Sequence, residues 1–250
     1  MFVSGVISLK YGVKTDRGLK RQFNEDNCNV LVGHPGVPTC FVIADGMGGH
    51  KSGEVASKLA VDSVCNHLIN ANWENQDVSG LLKDIITSVN DELYKFSLLN
   101  ESTQGMGTTL IIVVLKNGKL YIGHVGDSRV YLIKENTIQK LTSDHSYIEE
   151  LVKNGSITKD EAINHPKKNV ITRAVGYELD LQVDTYEIDV FKNDQLLLCT
   201  DGLTNMLAED EILGIIKKIE DPQLACDTLV ENANNKGGED NITVIVGRID

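Results

Sequence analysis

The chain has 250 residues, 41% hydrophobic and 24% charged, the composition of a folded globular protein and not of a disordered one. Its 24 Lys and Arg stand against 36 Asp and Glu, a formal charge of −12 that argues against a general nucleic-acid binder, whose affinity comes from cations neutralising phosphates. No apolar run approaches the roughly 18 to 20 residues of a membrane span, so no membrane anchor is expected.

Met1 to Lys10 has mixed polarity and no export signal, and Val3–Leu9 reads as a strand. The polar, charged run Thr15–Asp26 reads as a loop before strands at Asn29–Val32 and Thr39–Ala44. Two amphipathic segments, Ser52–Ile69 and Val78–Leu98, predict helices. Strands follow at Thr108–Leu115, Leu120–Val125 and Val130–Ile133, the first two joined by Lys116-Asn117-Gly118-Lys119, whose Asn-Gly pair suits a tight hairpin. From Asp144 to Thr172 the chain makes a surface excursion: short helices at Ile148–Lys153 and Thr158–Asn164 are interrupted by Gly155, Pro166, Lys167 and Lys168. Strands at Val183–Ile188 and Gln195–Cys199 precede helices at Glu209–Ile219 and Pro222–Asn234, with Pro222 in a first helical turn, and a last strand at Ile242–Val246.

Strands thus come in hairpin-linked runs and helices in pairs, without β-α-β-α alternation, which predicts an α+β fold of antiparallel sheet with helices packed on it. No linker or repeat divides residues 1–250, so a single domain is expected. Cys28, Cys40, Cys65, Cys199 and Cys226 are odd in number and widely spaced, which suggests reduced, buried thiols and a cytoplasmic chain. Trp73 and Tyr94 read as core or half-buried, and Arg129 as the partner of an internal carboxylate. Lys167 and Lys168 read as solvated, or else as contacts for an acidic peptide.

The informative residues are aspartates at strand exits. Phe41-Val42-Ile43-Ala44 runs into Asp45-Gly46-Met47-Gly48-Gly49, and Leu196-Leu197-Leu198-Cys199-Thr200 into Asp201-Gly202; Asp127 sits at a strand-to-strand turn and Asp240 just before the last strand. Singly, each reads most simply as a turn or cap. Four converging carboxylates, however, repel unless cations neutralise them, and hard oxygen ligands without a His or Cys cluster select magnesium or manganese over zinc. Asp45 to Gly49 alternatively reads as a phosphate-cradling loop before a helix, although it lacks the Lys-Ser/Thr ending of a P-loop. In Thr15–Asp26, a guanidinium suited to a phosphoryl group comes from Arg17 or Arg21, between which spacing does not choose.

Taken in order, these residues carry a resemblance. Thr15-Asp16-x-Gly18-x-x-Arg21-x-x-Asn24-Glu25-Asp26, Asp45-Gly46-Met47-Gly48-Gly49-His50, Gly107-Thr108-Thr109, Val125-Gly126-Asp127-Ser128-Arg129, Leu141-Thr142-x-Asp144-His145-Ser146, Thr172-Arg173-Ala174-Val175-Gly176, Thr200-Asp201-Gly202-Leu203 and Glu239-Asp240-Asn241-Ile242-Thr243 span nearly the whole chain. The sequence resembles the metal-dependent protein serine/threonine phosphatases of type 2C, the PPM family, in their compact bacterial form.

The resemblance implies a four-layer α-β-β-α sandwich, two packed antiparallel sheets flanked by pairs of helices, with a Mn2+ or Mg2+ site at one end. By the family pattern Asp45 bridges two ions, Gly46 gives its carbonyl to one, and Asp201 and Asp240 ligate the other. Glu25 and Asp26 hold bound water, Asp127 joins Asp201 at a weaker third ion, and Arg21 binds the substrate phosphate. Residues 144–172, with His145 in their motif, match a mobile flap. Two cations about 4 Å apart lower the pKa of a bridging water, which attacks phosphorus in line without a protein nucleophile. Where eukaryotic relatives carry a histidine as general acid after Asp-Gly, this chain has Met47, leaving a bound water, or His50, as proton donor. The implied activity is phosphoserine and phosphothreonine hydrolysis on phosphoproteins, opposing a bacterial serine/threonine kinase, by a cytoplasmic monomer. The alternatives are a regulatory phosphatase of a partner-switching pathway and a catalytically silent binding module.

Overall fold

The computed structural model describes residues 9–48, 52–74, 77–158, 161–162 and 165–250. One sheet has the strand order β1 (Leu9–Asp16), β11 (Ile242–Ile249), β10 (Gln195–Cys199), β7 (Arg129–Lys134), β8 (Thr137–Lys140). The other has β2 (Asp26–Leu31), β3 (Thr39–Met47), β5 (Leu110–Lys116), β6 (Lys119–Val125), β9 (Asp184–Asp189), with the short β4 (Gly107–Thr108) on the end of β3. All their pairings are antiparallel. Helices α1 (Ser52–Asn70) and α2 (Val78–Ser97) cover the second sheet, while α5 (Glu209–Lys218) and α6 (Pro222–Asn235) cover the first.

Because each sheet is covered on both faces, its central strands read as unbroken apolar runs, and their side chains alternate between two cores. Along β3, Cys40, Val42 and Ala44 face α1 and α2, whereas Phe41 and Ile43 face the opposite sheet. Along β10, Leu197 and Cys199 pack under α5 and α6, whereas Leu196 and Leu198 meet Phe41 and Ile43 between the sheets. The expected α-β-β-α layering is therefore present. All five cysteines are free thiols; burial pushes Cys199 up to about 12, which keeps it protonated and inert.

The expected hairpin is present at Asn117 and Gly118, both with positive φ of 52° and 76°, which sets Lys116 opposite Lys119. Trp73 is buried and donates from Nε1 to the Leu68 carbonyl at 3.0 Å, and Tyr94 is half-buried. Three elements depart from the sequence reading. The first strand, expected at Val3–Leu9, lies outside the described residues except for Leu9; from there β1 runs to Asp16, into what reads as loop. Its polar residues are tolerated because it is an edge strand paired only with β11. Strand β8 is equally polar and exposed at an edge, so its sequence gives no apolar run. Asp201 opens a single helical turn, α4 (Asp201–Thr204), where the sequence suggests a strand exit into a loop.

In the 144–172 segment, the first expected helix is present as α3 (Tyr147–Lys153), whereas 158–164 falls partly outside the described residues. The segment's ends meet in a bridge between Ser146 and Ile171 and a bond from the Thr172 N–H to the His145 carbonyl at 2.8 Å.

Leu198→Ala, which empties part of the inter-sheet core, is expected to cost about 2–5 kcal/mol in denaturant unfolding. Leu224→Ala, on an exposed face of α6, is expected to change stability by roughly 0.5 kcal/mol or less. Equal costs at the two positions would contradict the assignment of the core.

Candidate active site

Strand ends and turns bring the sequence-predicted residues together. Arg21, Glu25, Asp45, Gly46, Asp127, Asp201 and Asp240 all line one cavity of about 210 Å³, along with Met47, Thr109, Asn169, Ile171 and Asn241. Asp26 stands directly behind it, opposite Asp45 in the β2–β3 register. Arg17 is outside the lining, its Nη1 reaching only the Gln22 carbonyl at 3.5 Å, so the structure chooses Arg21. His50 lies outside the described residues.

Backbone packing builds the walls. Gly46 and Gly53, at the start of α1, touch so closely that a Cβ on Gly46 would run into the Gly53 carbonyl, and one on Gly53 into Glu25 Oε1. Only glycine at both positions lets α1 press its first turn against the strand end. Gly18, with φ of 77°, packs in the same way on the Asp240 carbonyl, and Leu19 N donates to Gly238 O at 2.8 Å. The loop carrying Arg21 is thereby fixed beside Asp240, and Arg21 Nη2 donates to Asp240 Oδ2 at 2.7 Å.

Polar side chains that the sequence reading did not single out fix the backbone of the acidic residues and, at Asp26, the carboxylate itself. Buried Asn241 accepts from Glu25 N at 2.8 Å and donates to the carbonyls of Arg17 and Phe23 at 2.8 and 2.9 Å, lashing the Arg21 loop to β11. Thr109 Oγ1 accepts from Asp45 N at 2.9 Å, and Thr108 Oγ1 donates to Asp45 O at 2.9 Å. Asp26 Oδ2 takes hydroxyl bonds from Thr200 at 2.9 Å and Thr243 at 2.7 Å. Their only signal in the sequence is membership of the Gly-Thr-Thr, Thr-Asp-Gly and Asp-Asn-Ile-Thr motifs.

The electrostatics are those of an overcrowded anionic site. Burial, reinforced by Asp26, Asp201, Asp127 and Asp240, holds the Asp45 carboxyl well above its usual range. Burial also raises Asp26 to about 7 against its two hydroxyl bonds, and raises Asp127 to about 8 with the help of Asp201 and Asp144. Asp201 and Glu25 are raised as well, again chiefly by burial. Two buried carboxylate oxygens, Glu25 Oε1 and Asp26 Oδ1, find no hydrogen-bond partner among the described residues. Such atoms call for a cation or cation-bound water. Among the described residues no three acidic, His or Cys side chains converge tightly enough to hold an ion unaided. The walls instead offer spaced carboxylates and a backbone carbonyl with room for water between them, which suits a hydrated hard cation.

Other expected residues lie elsewhere. Arg129 is bound to Asp144 by Nη2–Oδ2 at 2.6 Å and Nε–Oδ2 at 3.0 Å, an internal pair as anticipated. His145 is buried beside the cavity, not in it. Lys167 lies over the Tyr147 ring at 5.1 Å, and Lys168 lines a neighbouring cavity of about 570 Å³ that shares Asp127 and Asp201 with the first.

Comparison with known proteins identifies the family. The profile of the family described as Protein phosphatase 2C matches residues 18–233. The serine/threonine phosphatase stp of Listeria welshimeri is 40% identical over 240 residues, 93% of each chain. Protein phosphatase PhpP of Streptococcus pneumoniae is 38% identical over 239 residues, covering 94% of this chain and 96% of its own. Among solved structures, the S. agalactiae serine/threonine phosphatase superposes with a TM-score of 0.92 at 31% identity, over 97% of this chain and 100% of that one. The catalytic domain of the phosphatase PstP, solved with two manganese ions, superposes with a TM-score of 0.84 at 30% identity, over 96% and 98%. The chain belongs to the protein phosphatase 2C family, and is a serine/threonine phosphatase of the metal-dependent bacterial type.

Proposed function

We propose that the chain dephosphorylates phosphoserine and phosphothreonine proteins at the cavity bounded by Arg21, Asp45, Asp127, Asp201 and Asp240, with two Mn2+ or Mg2+ ions and a weaker third. The observation that carries this is the convergence of these side chains on one cavity, with orphaned oxygens of Glu25 and Asp26 beside it. Asp45, Gly46, Asp201 and Asp240 are the groups available to the two core ions, and Asp127 with Asp201 to the third. When bound, the ions supply charge neutralisation and Lewis acidity at phosphorus.

The chain's own residues do the rest. Arg21, its loop fixed by Asn241 and Gly238, offers its guanidinium edge to the phosphoryl oxygens, as planar donors do. Thr109 and Thr108 fix the backbone of Asp45 from its N–H and its carbonyl, which sets where the carboxylate enters the cavity. Asp26 sits behind it, shielded from bulk water and oriented by Thr200 and Thr243. Met47 lines the cavity where a histidine would be the familiar acid, and no described lining residue is a histidine. A bound water and His50 are the two candidates to give the leaving alkoxide its proton. Residues 144–172 contribute Asn169 and Ile171 to the wall, which supports their reading as a flap over the substrate.

A cytoplasmic setting opposite a serine/threonine kinase, as a monomer, completes the proposal. In its support, no helix among the described residues is long and apolar enough to cross a membrane, and the listerial and streptococcal relatives are themselves named as phosphatases.

Two substitutions test the site on p-nitrophenyl phosphate and a phosphothreonine peptide. Asp45→Asn is expected to abolish Mn2+-dependent hydrolysis of both; wild-type rates at saturating Mn2+ would contradict the assignment. Arg21→Ala is expected to lower kcat/KM by about ten- to hundredfold, the loss of a charge-assisted contact of roughly 1.5 to 3 kcal/mol. Unchanged kcat and KM would remove Arg21 from the site.

A further inference from the structure

We infer that two buried imidazoles, His145 and His124, are positioning residues that clamp the Asp127 turn and fasten it to the root of the 144–172 segment. The inference rests on the reading of Asp127 as a ligand of the third ion.

The turn Gly126-Asp127-Ser128 is gripped on both sides of the aspartate. Before it, His145 N donates to Gly126 O at 2.8 Å, while Gly126 N donates to His145 Nδ1 at 3.0 Å. After it, His124 Nε2 donates to the Ser128 carbonyl at 3.0 Å. Both histidines are buried, and their ring centroids are 4.7 Å apart.

The tautomer of His145 follows from these bonds. Nδ1 needs a lone pair to accept from Gly126, so the ring proton is on Nε2 and points to Asp184 Oδ2 at 3.1 Å, while Arg173 Nη1, 3.2 Å from the same nitrogen, gives its hydrogen to Asp184 Oδ1. Asp184 is held in turn by Arg173 Nη1 at 3.0 Å on its other oxygen and by the Tyr186 hydroxyl at 3.4 Å. Asp184 thus orients the imidazole as an outer carboxylate orients a metal-ligating histidine, except that here the imidazole holds a backbone amide.

On its inner side the turn has no slack. Gly126 has φ of 108°, and a Cβ there would lie 2.5 Å from Thr109 Cγ2. Ser128 Oγ pairs at 2.8 Å with Thr109 Oγ1, the same oxygen that accepts from Asp45 N. Asp127 is therefore fixed between Thr109, which also sets Asp45, and His145, whose carbonyl takes the Thr172 N–H and so joins the two ends of the 144–172 segment. Movement of that segment at its root moves Asp127.

The test compares His145→Ala, His145→Asn, Asp184→Asn and Asp127→Ala with the parent protein, using Mn2+ calorimetry, p-nitrophenyl phosphate kinetics and hydrogen exchange at the Gly126 amide. Asparagine can place Oδ1 where Nδ1 accepts, so it separates the clamp from simple packing. His145→Ala is expected to lose the weakest Mn2+ binding event, as Asp127→Ala does, to keep the tighter ones, and to lower kcat roughly tenfold or more with little change in KM. Gly126 exchange is expected to accelerate in His145→Ala, less in Asp184→Asn, and to return toward the parent rate in His145→Asn. Wild-type Mn2+ binding and kcat in His145→Ala would overturn the clamp, as would equal losses in the Ala and Asn variants. If His145→Ala does not fold, unchanged Gly126 exchange and Mn2+ binding in Asp184→Asn overturns it instead. Parent-like titration by Asp127→Ala would show that the ligand reading itself is wrong, and the clamp with it.

Discussion

Everything at the working end of this molecule depends on the mutual repulsion of carboxylates that the fold forces together. Asp26, Asp45, Asp127 and Asp201 are each held above their ordinary pKa, with burial the first cause and the charge of neighbouring carboxylates, for Asp201 that of Asp240, among the rest. Two of the acid oxygens have no hydrogen-bond partner among the described residues. A fold that selected only for stability would replace such a cluster with apolar or neutral groups. Its retention makes sense as the negative image of a divalent cation site.

The sandwich supplies the rigidity that this repulsion requires. Strands β3, β10 and β11 are buried on both faces, so the residues at their ends, Asp45, Asp201 and Asp240, are carried on three strands anchored in the cores. Small polar groups then fix the chain around them: Thr109 takes the Asp45 backbone N–H, Thr200 and Thr243 hold the Asp26 carboxylate, and Asn241 ties down the backbone of the loop bearing Glu25 and Arg21. Glycines at 18, 46 and 53 allow the backbone approaches that bring loop, strand and helix to the same cavity. Among the described residues the only cation lining that cavity is Arg21, which rests on Asp240 with its side chain about half exposed, within reach of a substrate at the rim.

Much of this was legible in the sequence for physical reasons. Central strands were readable because both their faces are apolar, and the helices because one face is. Asp45, Asp201 and Asp240 stood out because acids recur at the ends of apolar runs, although each alone reads as a turn or cap. Edge strands β1 and β8 were not legible, since their stability comes from pairing and not from an apolar pattern. The choice of Arg21 over Arg17 needed the Asn241 and Gly238 contacts, which join residues more than 200 positions apart in the chain. His145 could be placed in a motif from sequence but given no role, because its partners Gly126 and Asp184 come from two different loops and strands.

The central claim is that the site is an anionic cage relieved by cations, and thermal unfolding against pH tests it most directly. Raised carboxyl pKa values mean that the folded, metal-free protein binds protons more tightly than the unfolded chain. Their stabilisation is fully present below the unfolded carboxylate range near pH 4 and is lost as pH rises through the folded values, about 7 for Asp26 and about 8 for Asp127. The account predicts that with chelator the Tm falls between about pH 5 and 8, that Mn2+ removes most of this fall, and that Asp45→Asn flattens it without metal. A metal-free Tm that rises or stays level over that range, with no larger Mn2+ effect at the alkaline end, would contradict it.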